Sequence, residues 1–177
     1  MDVTMMLMIL KNLRGIGNAR ARLVLEAVDS IMDLQSLLDS LNRVLPGKGY
    51  GMDEVETAAL LAAADQGQAL ELGVRILSCK DPGFPHRLLA ATRPPVLLYC
   101  KGSHAPLQND PAIAVIGSRT PGATGLDLAE AYAGLMASEG ILVVSGLARG
   151  IDASAHRGCM NAGGRTAAFL AHGLGQP

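Results

Sequence analysis

The 177-residue chain predicts an α/β fold: part of a doubly wound, Rossmann-like, mainly parallel sheet, preceded by a small all-helical module. Three observations predict it. Apolar residues recur at helical spacing from the first residues onward. Two short apolar runs end in glycine-bearing turns, AIAVIGSR over residues 112–119 and ILVVSGLARGID over 141–152. Strand and helix patterns then alternate toward the carboxyl end, as they do in one half of a doubly wound sheet.

In the helical module, Met5, Met8, Ile9 and Leu13, then Leu23, Val24, Val28, Ile31, Leu34, Leu37, Leu38 and Leu41, keep helical spacing. Between the first two helices, residues 13–21 read LRGIGNARA, which resembles the turn of helix-hairpin-helix DNA-binding modules. Gly15 and Gly17 permit a tight turn there, and Arg20 and Arg22 stand beside a helix start that could receive a phosphate. A plain helix–helix turn explains the same glycines, and both readings stand. Pro46-Gly47-Lys48-Gly49-Tyr50-Gly51 lacks the order of a phosphate-binding GxxxxGKS/T loop and reads as a connection.

An alanine- and leucine-rich helix is expected over 52–72. A boundary near residue 73 then separates a helical domain, 1–73, from an α/β domain, 74–177. Strands are expected over 74–78 and 96–100, with rigid turns at Asp81-Pro82-Gly83-Phe84-Pro85 and Arg93-Pro94-Pro95 around Leu88 and Leu89. From there the pattern predicts strand 113–116, helix 124–138, strand 141–144, helix 151–161 and strand 166–170, joined by right-handed crossovers. Leu128, Tyr132, Leu135 and Met136 share a helical face expected to pack on the sheet.

Composition excludes several classes. Cys79, Cys100 and Cys159 are three, widely spaced and free of CxxC, which argues against a disulfide framework or zinc knuckle and for a reducing cytoplasm. The opening MDVTMMLMILKNLRG reads as a helix rather than a signal peptide, and no segment is long enough to span a bilayer. His86, His104 and His172 lack metal-ligand spacing. Net charge is −1, but it is sorted: +3 over residues 1–25, −7 over 26–73 and +3 over 74–177. Nucleic-acid contact should therefore use the two ends, unless these charges are ordinary solvated helix faces.

The two turns are suited to an anion. Gly117-Ser118-Arg119-Thr120-Pro121-Gly122 is not GxGxxG, and the second strand ends in Ser145-Gly146 where a ribose-binding acid would stand, so no nicotinamide cofactor is expected, nor any other. Arg119 is suited to a bidentate phosphate contact, with a structural salt bridge to Asp152 as the alternative. Gly117, Gly146 and Gly150 would allow close backbone approach or serve turn geometry alone, Ser118 and Ser145 could donate to phosphate or cap, and Arg149 and Arg165 could contact a backbone or stand as surface charges. Asp152, near a helix start, would cap the helix and orient Arg119, and His156 four residues later could pair with it. Ser145 beside that pair suggests a hydrolase, but there is no GxSxG elbow, and no catalytic residue is assigned.

GSRTPGATG, SGLARGIDASAH and GGRTAAFLAHGLGQP, preceded by DPGFPHRLL and PPVLLYCKG, together resemble the DprA (Smf) family of DNA-processing proteins over nearly the whole chain. The resemblance implies a single-stranded DNA-binding protein of bacterial natural transformation that protects incoming DNA and assists loading of RecA, built as an extended Rossmann-like domain after a helical module. A homodimer is possible on the same grounds. Gly122 and Thr124 replace the serine and tyrosine usual in the family's first turn. The sequence stops at Gly175-Gln176-Pro177, where the family continues, so a truncated product, fragment or short form is expected. Because aromatic residues are few, backbone charge should dominate DNA binding. The alternative is a nucleotide-binding or nucleotide-hydrolysing enzyme like the LOG-type phosphoribohydrolases, whose PGGxGT signature is absent.

Overall fold

The computed structural model describes residues 1–28, 33–109 and 111–175. Ile31, Gln176 and Pro177 lie outside the described residues. Two compact units are formed, Met1–Gly102 and Ser103–Pro177.

The first unit contains α1 (Val3–Asn12), α2 (Asn18–Glu26), α3 (Leu34–Val44), α4 (Met52–Glu71), β1 (Val74–Ser78), a single turn α5 (His86–Leu89) and β2 (Leu97–Lys101). Local side-chain chemistry starts α1, α3 and α4. The Asp2 carboxylate accepts from the Met5 amide at 2.7 Å, and Asp33 and Ser36 form a capping box ahead of α3. Glu54 accepts from the Gly51 amide at 3.1 Å, and with Asp53 it places negative charge at the positive end of α4. Met6, Leu7, Met8, Ile9 and Leu10 are all buried. A helix covered on every side is a central one, and α1 packs on α2, α4, β1 and β2.

β1 and β2 form an antiparallel pair of their own, Val74 opposite Lys101 and Ser78 opposite Leu97, and do not join the parallel sheet. The Asp81 carboxylate accepts from the Ser78 amide and hydroxyl, and the resulting turn places Phe84 in the core at 1% exposure. β1 packs on α1 and α4, so it belongs to the first compact unit, which runs to Gly102.

The second unit contains the short α6 (Pro106–Asn109), β3 (Ala112–Ala114), α7 (Ala123–Ser138), β4 (Leu142–Ser145), α8 (Ile151–Asn161) and β5 (Thr166–Ala168). The strands are parallel in the order β3-β4-β5, the Rossmann-like arrangement. β3 and β5 end sooner than expected, although the Val115 amide still reaches the Val144 carbonyl and the Phe169 amide the Ser145 carbonyl, at 3.0 and 2.9 Å.

The expected buried face of α7 needs correction. Leu128, Tyr132 and Leu135 are more than half exposed, and the buried stripe is Ala129, Ala133 and Ala137; of the four expected residues, Met136 packs against the core. The cause is the tight crossing of α7 and α8. A Cβ on Gly158 would overlap the Glu130 backbone, and one on Gly134 would come within 3.3 Å of the Gly158 carbonyl oxygen. Helices this close meet through small side chains, and the large ones project outward. No helix among the described residues is long and apolar enough to cross a membrane.

Candidate nucleic-acid interface

Parallel strands all point one way, so the segments following β3 and β4 emerge at the same edge of the sheet. The structure brings them into contact. The Ile151 amide donates to the Ser118 carbonyl at 3.1 Å. Gly150 has φ +86°, and a Cβ there would strike the Ser118 carbonyl oxygen and come within 2.9 Å of the Arg119 carbonyl carbon. A Cβ on Gly117 would lie 2.7 Å from Ile151 Cγ1. The two turns are thus one packed double loop that only glycine permits at these positions. The Gly146 amide is held by Asp152 Oδ2 at 3.0 Å, and Asp152 lies in the first turn of α8, where the helix dipole favours a carboxylate.

Arg119 and Arg149 are exposed on this double loop. Asp152 is used on Gly146 and, among the described residues, forms no salt bridge with Arg119; the cap of α8 is Gly150, not Asp152. Ser118 Oγ accepts from the Thr120 amide at 3.1 Å, which leaves its hydroxyl hydrogen to donate. Among the described residues the amides of Ser118, Arg119, Leu147, Ala148 and Arg149 meet no acceptor. Leu147 was not anticipated: it is left-handed, φ 58°, a conformation that costs a non-glycine residue about 1–2 kcal/mol. Unpaired amides and two exposed guanidiniums at this edge are donors of the kind that can hold an anion.

Two expected contributors do not join it. Ser145 is buried and donates its proton to the Val115 carbonyl at 2.6 Å, so its side chain ties β4 to the end of β3. Arg165 precedes β5 and therefore stands at the amino edge of the sheet, opposite the double loop; its carbonyl accepts from the Val143 amide.

His156 is buried, with Nδ1 2.7 Å from Thr166 Oγ1. The Thr166 hydroxyl donates to the Val143 carbonyl at 2.8 Å, so its oxygen accepts from Nδ1–H and Nε2 is left without a proton. Nε2 is enclosed and meets no donor. Burial pushes the His156 pKa below its ordinary value, opposed by the charge of Asp152. The hydroxyl of Ser145 is directed to Val115 and not to this imidazole.

In the first unit, Gly15 has φ +79° and its carbonyl accepts from the Arg20 guanidinium. Gly17 is the extended residue that opens α2. Arg22 differs from Arg20: it is half-buried, and its Nη2 is enclosed with no acceptor. Lys48, read in the sequence only as part of a connection, comes to the same turn. Among the described residues no group of three or more His, Cys, Asp or Glu is placed to hold a metal.

The family model described as DNA recombination-mediator protein A matches residues 75–177, which include all three parallel strands and both turns. The protein Smf of Synechocystis sp. is 36% identical over 103 residues, 56% of this chain and 26% of that protein. The DNA processing protein DprA of Streptococcus pneumoniae is 37% identical over 97 residues, 55% of this chain and 34% of that one. An X-ray structure of DNA processing protein A from S. pneumoniae superposes with a TM-score of 0.73 and 27% identity, covering 97% of this chain and 58% of that chain. The chain thus spans only a quarter to about a third of the curated relatives' length. With its parallel sheet, its double loop and more than half its length matched, the chain belongs to the DNA recombination-mediator protein A family, the DprA/Smf family.

Proposed function

We propose that this chain binds single-stranded DNA through its phosphate backbone, as part of a DNA-processing protein acting in recombination during natural transformation in the cytoplasm. The observation that carries the reading is the double loop, in which glycine packing fixes Arg119, Arg149 and a run of unpaired amides at one edge of the sheet. A guanidinium beside amides already fixed by the packed loop suits a phosphodiester, because it can make paired contacts while the backbone donors need no reordering. The names of the relatives support DNA as the source of that phosphate. RecA and a second copy of the chain are partners implied by the same family, and a non-enzymatic role accords with the direction of the Ser145 hydroxyl.

A labelled oligo-dT titrated with the wild type, Arg119→Ala and Arg75→Ala tests this. Arg75 is an exposed arginine of the first unit and serves as the charge control. Binding weakened by Arg119→Ala well beyond the control is expected. Equal binding by all three sinks the site, and release of free base from a nucleoside monophosphate would favour the LOG-like alternative.

A further inference from the structure

We infer that residues 14–20 and 46–50 of the first unit form a second phosphate-binding site, for the backbone of a nucleic acid, with Lys48 and Arg20 as its charged contacts and Arg14 beside them. This rests on the DNA-binding reading above for the class of ligand, and on separate residues for the site.

Two cations converge on one glycine. Lys48 Nζ lies 3.0 Å, and Arg20 Nη1 3.4 Å, from the point that a Cβ on Gly15 would occupy. Like charges brought to the same point repel one another. The Gly15 carbonyl offsets part of this for Arg20, whose guanidinium it accepts from. Among the described residues neither Lys48 nor Arg20 has a carboxylate salt-bridge partner. The Glu54 carboxylate near Tyr50 is used on the Gly51 amide. An anion between the two cations would turn that repulsion into attraction.

The convergence is also built. Tyr50 is buried, exchanges two hydrogen bonds with Asn42 at 3.0 and 2.9 Å, and donates its phenol to the Arg14 carbonyl at 3.2 Å. These bonds pin the 46–50 loop to a turn more than thirty residues earlier in the chain, an arrangement a simple connection from α3 to α4 does not require. The loop carries its cation to the turn from a stretch, residues 26–73, whose net charge is −7.

The full chain is titrated with a labelled oligo-dT and, separately, a labelled duplex across a range of salt. Lys48→Ala, Lys48→Arg and Arg119→Ala are compared with Lys80→Ala, an exposed lysine of the same unit. Lys48→Ala is expected to weaken binding roughly fivefold, the upper range for an exposed ion pair. Its salt slope should fall by about 0.7 on the single strand or about 0.9 on the duplex, while Lys48→Arg keeps both. Whichever probe responds identifies the strand form held. Lys48→Ala indistinguishable from Lys80→Ala, while Arg119→Ala still weakens binding, overturns this site and leaves the double loop standing. A Lys48 effect without an Arg119 effect supports this site and removes the other. A wild type that binds neither probe overturns both.

Discussion

In the first unit Leu7, Met8, Ile9, Leu10, Leu37, Leu41 and Phe84 are almost wholly withdrawn from solvent, whereas the core of the second is Ala133, Ala137, Val143, Ala155 and Cys159. Many of the second unit's large apolar residues, among them Ile116, Leu128, Tyr132 and Phe169, stand exposed, although Leu142 is buried. The difference teaches that apolar periodicity locates a helix but not the face it buries. A central helix such as α1 needs no such choice because every side is covered. In α7 the glycine-mediated approach of α8 selects the alanine stripe, and the closeness of the two helices takes precedence over side-chain volume.

The contrast predicts a ranking of substitutions. Phe84→Ala removes the largest fully buried side chain of the first unit and should cost about 3–5 kcal/mol in urea denaturation followed by circular dichroism. Gly158→Ala forces a methyl group onto the Glu130 backbone and should cost about 1–3 kcal/mol, as overpacking does. A larger loss from Gly158→Ala than from Phe84→Ala would invert the comparison and make the helix crossing the stronger determinant.

A pH effect separates the units next. His156 is held neutral by burial, so the unfolded chain binds the additional proton. Its contribution is full above the ordinary histidine value of 6.5 and is lost as pH falls below it toward the depressed folded value. Urea midpoints should therefore drop on acidification through that window, and His156→Gln should flatten the drop. A wild-type profile no steeper than that of the variant would show that His156 carries no such linkage.

The smallest effect is expected at Tyr132, which is 60% exposed. Tyr132→Ser should change stability by no more than about 0.5 kcal/mol. A clearly larger loss would show that this face is covered in solution and would erase the contrast between the units.

Much of the fold was legible in the sequence because its signals are local. The 3.6-residue period placed the helices, β1 was expected over its observed span, and glycines after short apolar runs located both turns. What was not legible depends on tertiary approach. The alanine face of α7 follows from α8, and the pairing of β1 with β2 against α1 places both strands in the first compact unit, although the family match itself begins at residue 75. For the proposed site, the spacing of the sequence points to Arg119, Arg149 and the three loop glycines, which the structure brings together on one double loop. Arg165 was misplaced because strand direction had to be combined with its position before β5. The bond of Ser145 to Val115 spans thirty residues and the approach of Lys48 to Gly15 spans more than thirty, so neither is legible in local spacing.

The central claim is that the double loop holds phosphate, and the salt dependence of oligo-dT binding tests it most directly. Each single-strand phosphate contact contributes about 0.7 to the slope of log K against log salt. An Arg119→Ala, Arg149→Ala double variant should therefore bind more weakly with a slope shallower by about 1.4, two contacts' worth, while Arg75→Ala changes little. A double variant with the wild-type slope and affinity would contradict the account, because the two guanidiniums at the carboxyl edge of the sheet would then not be touching DNA.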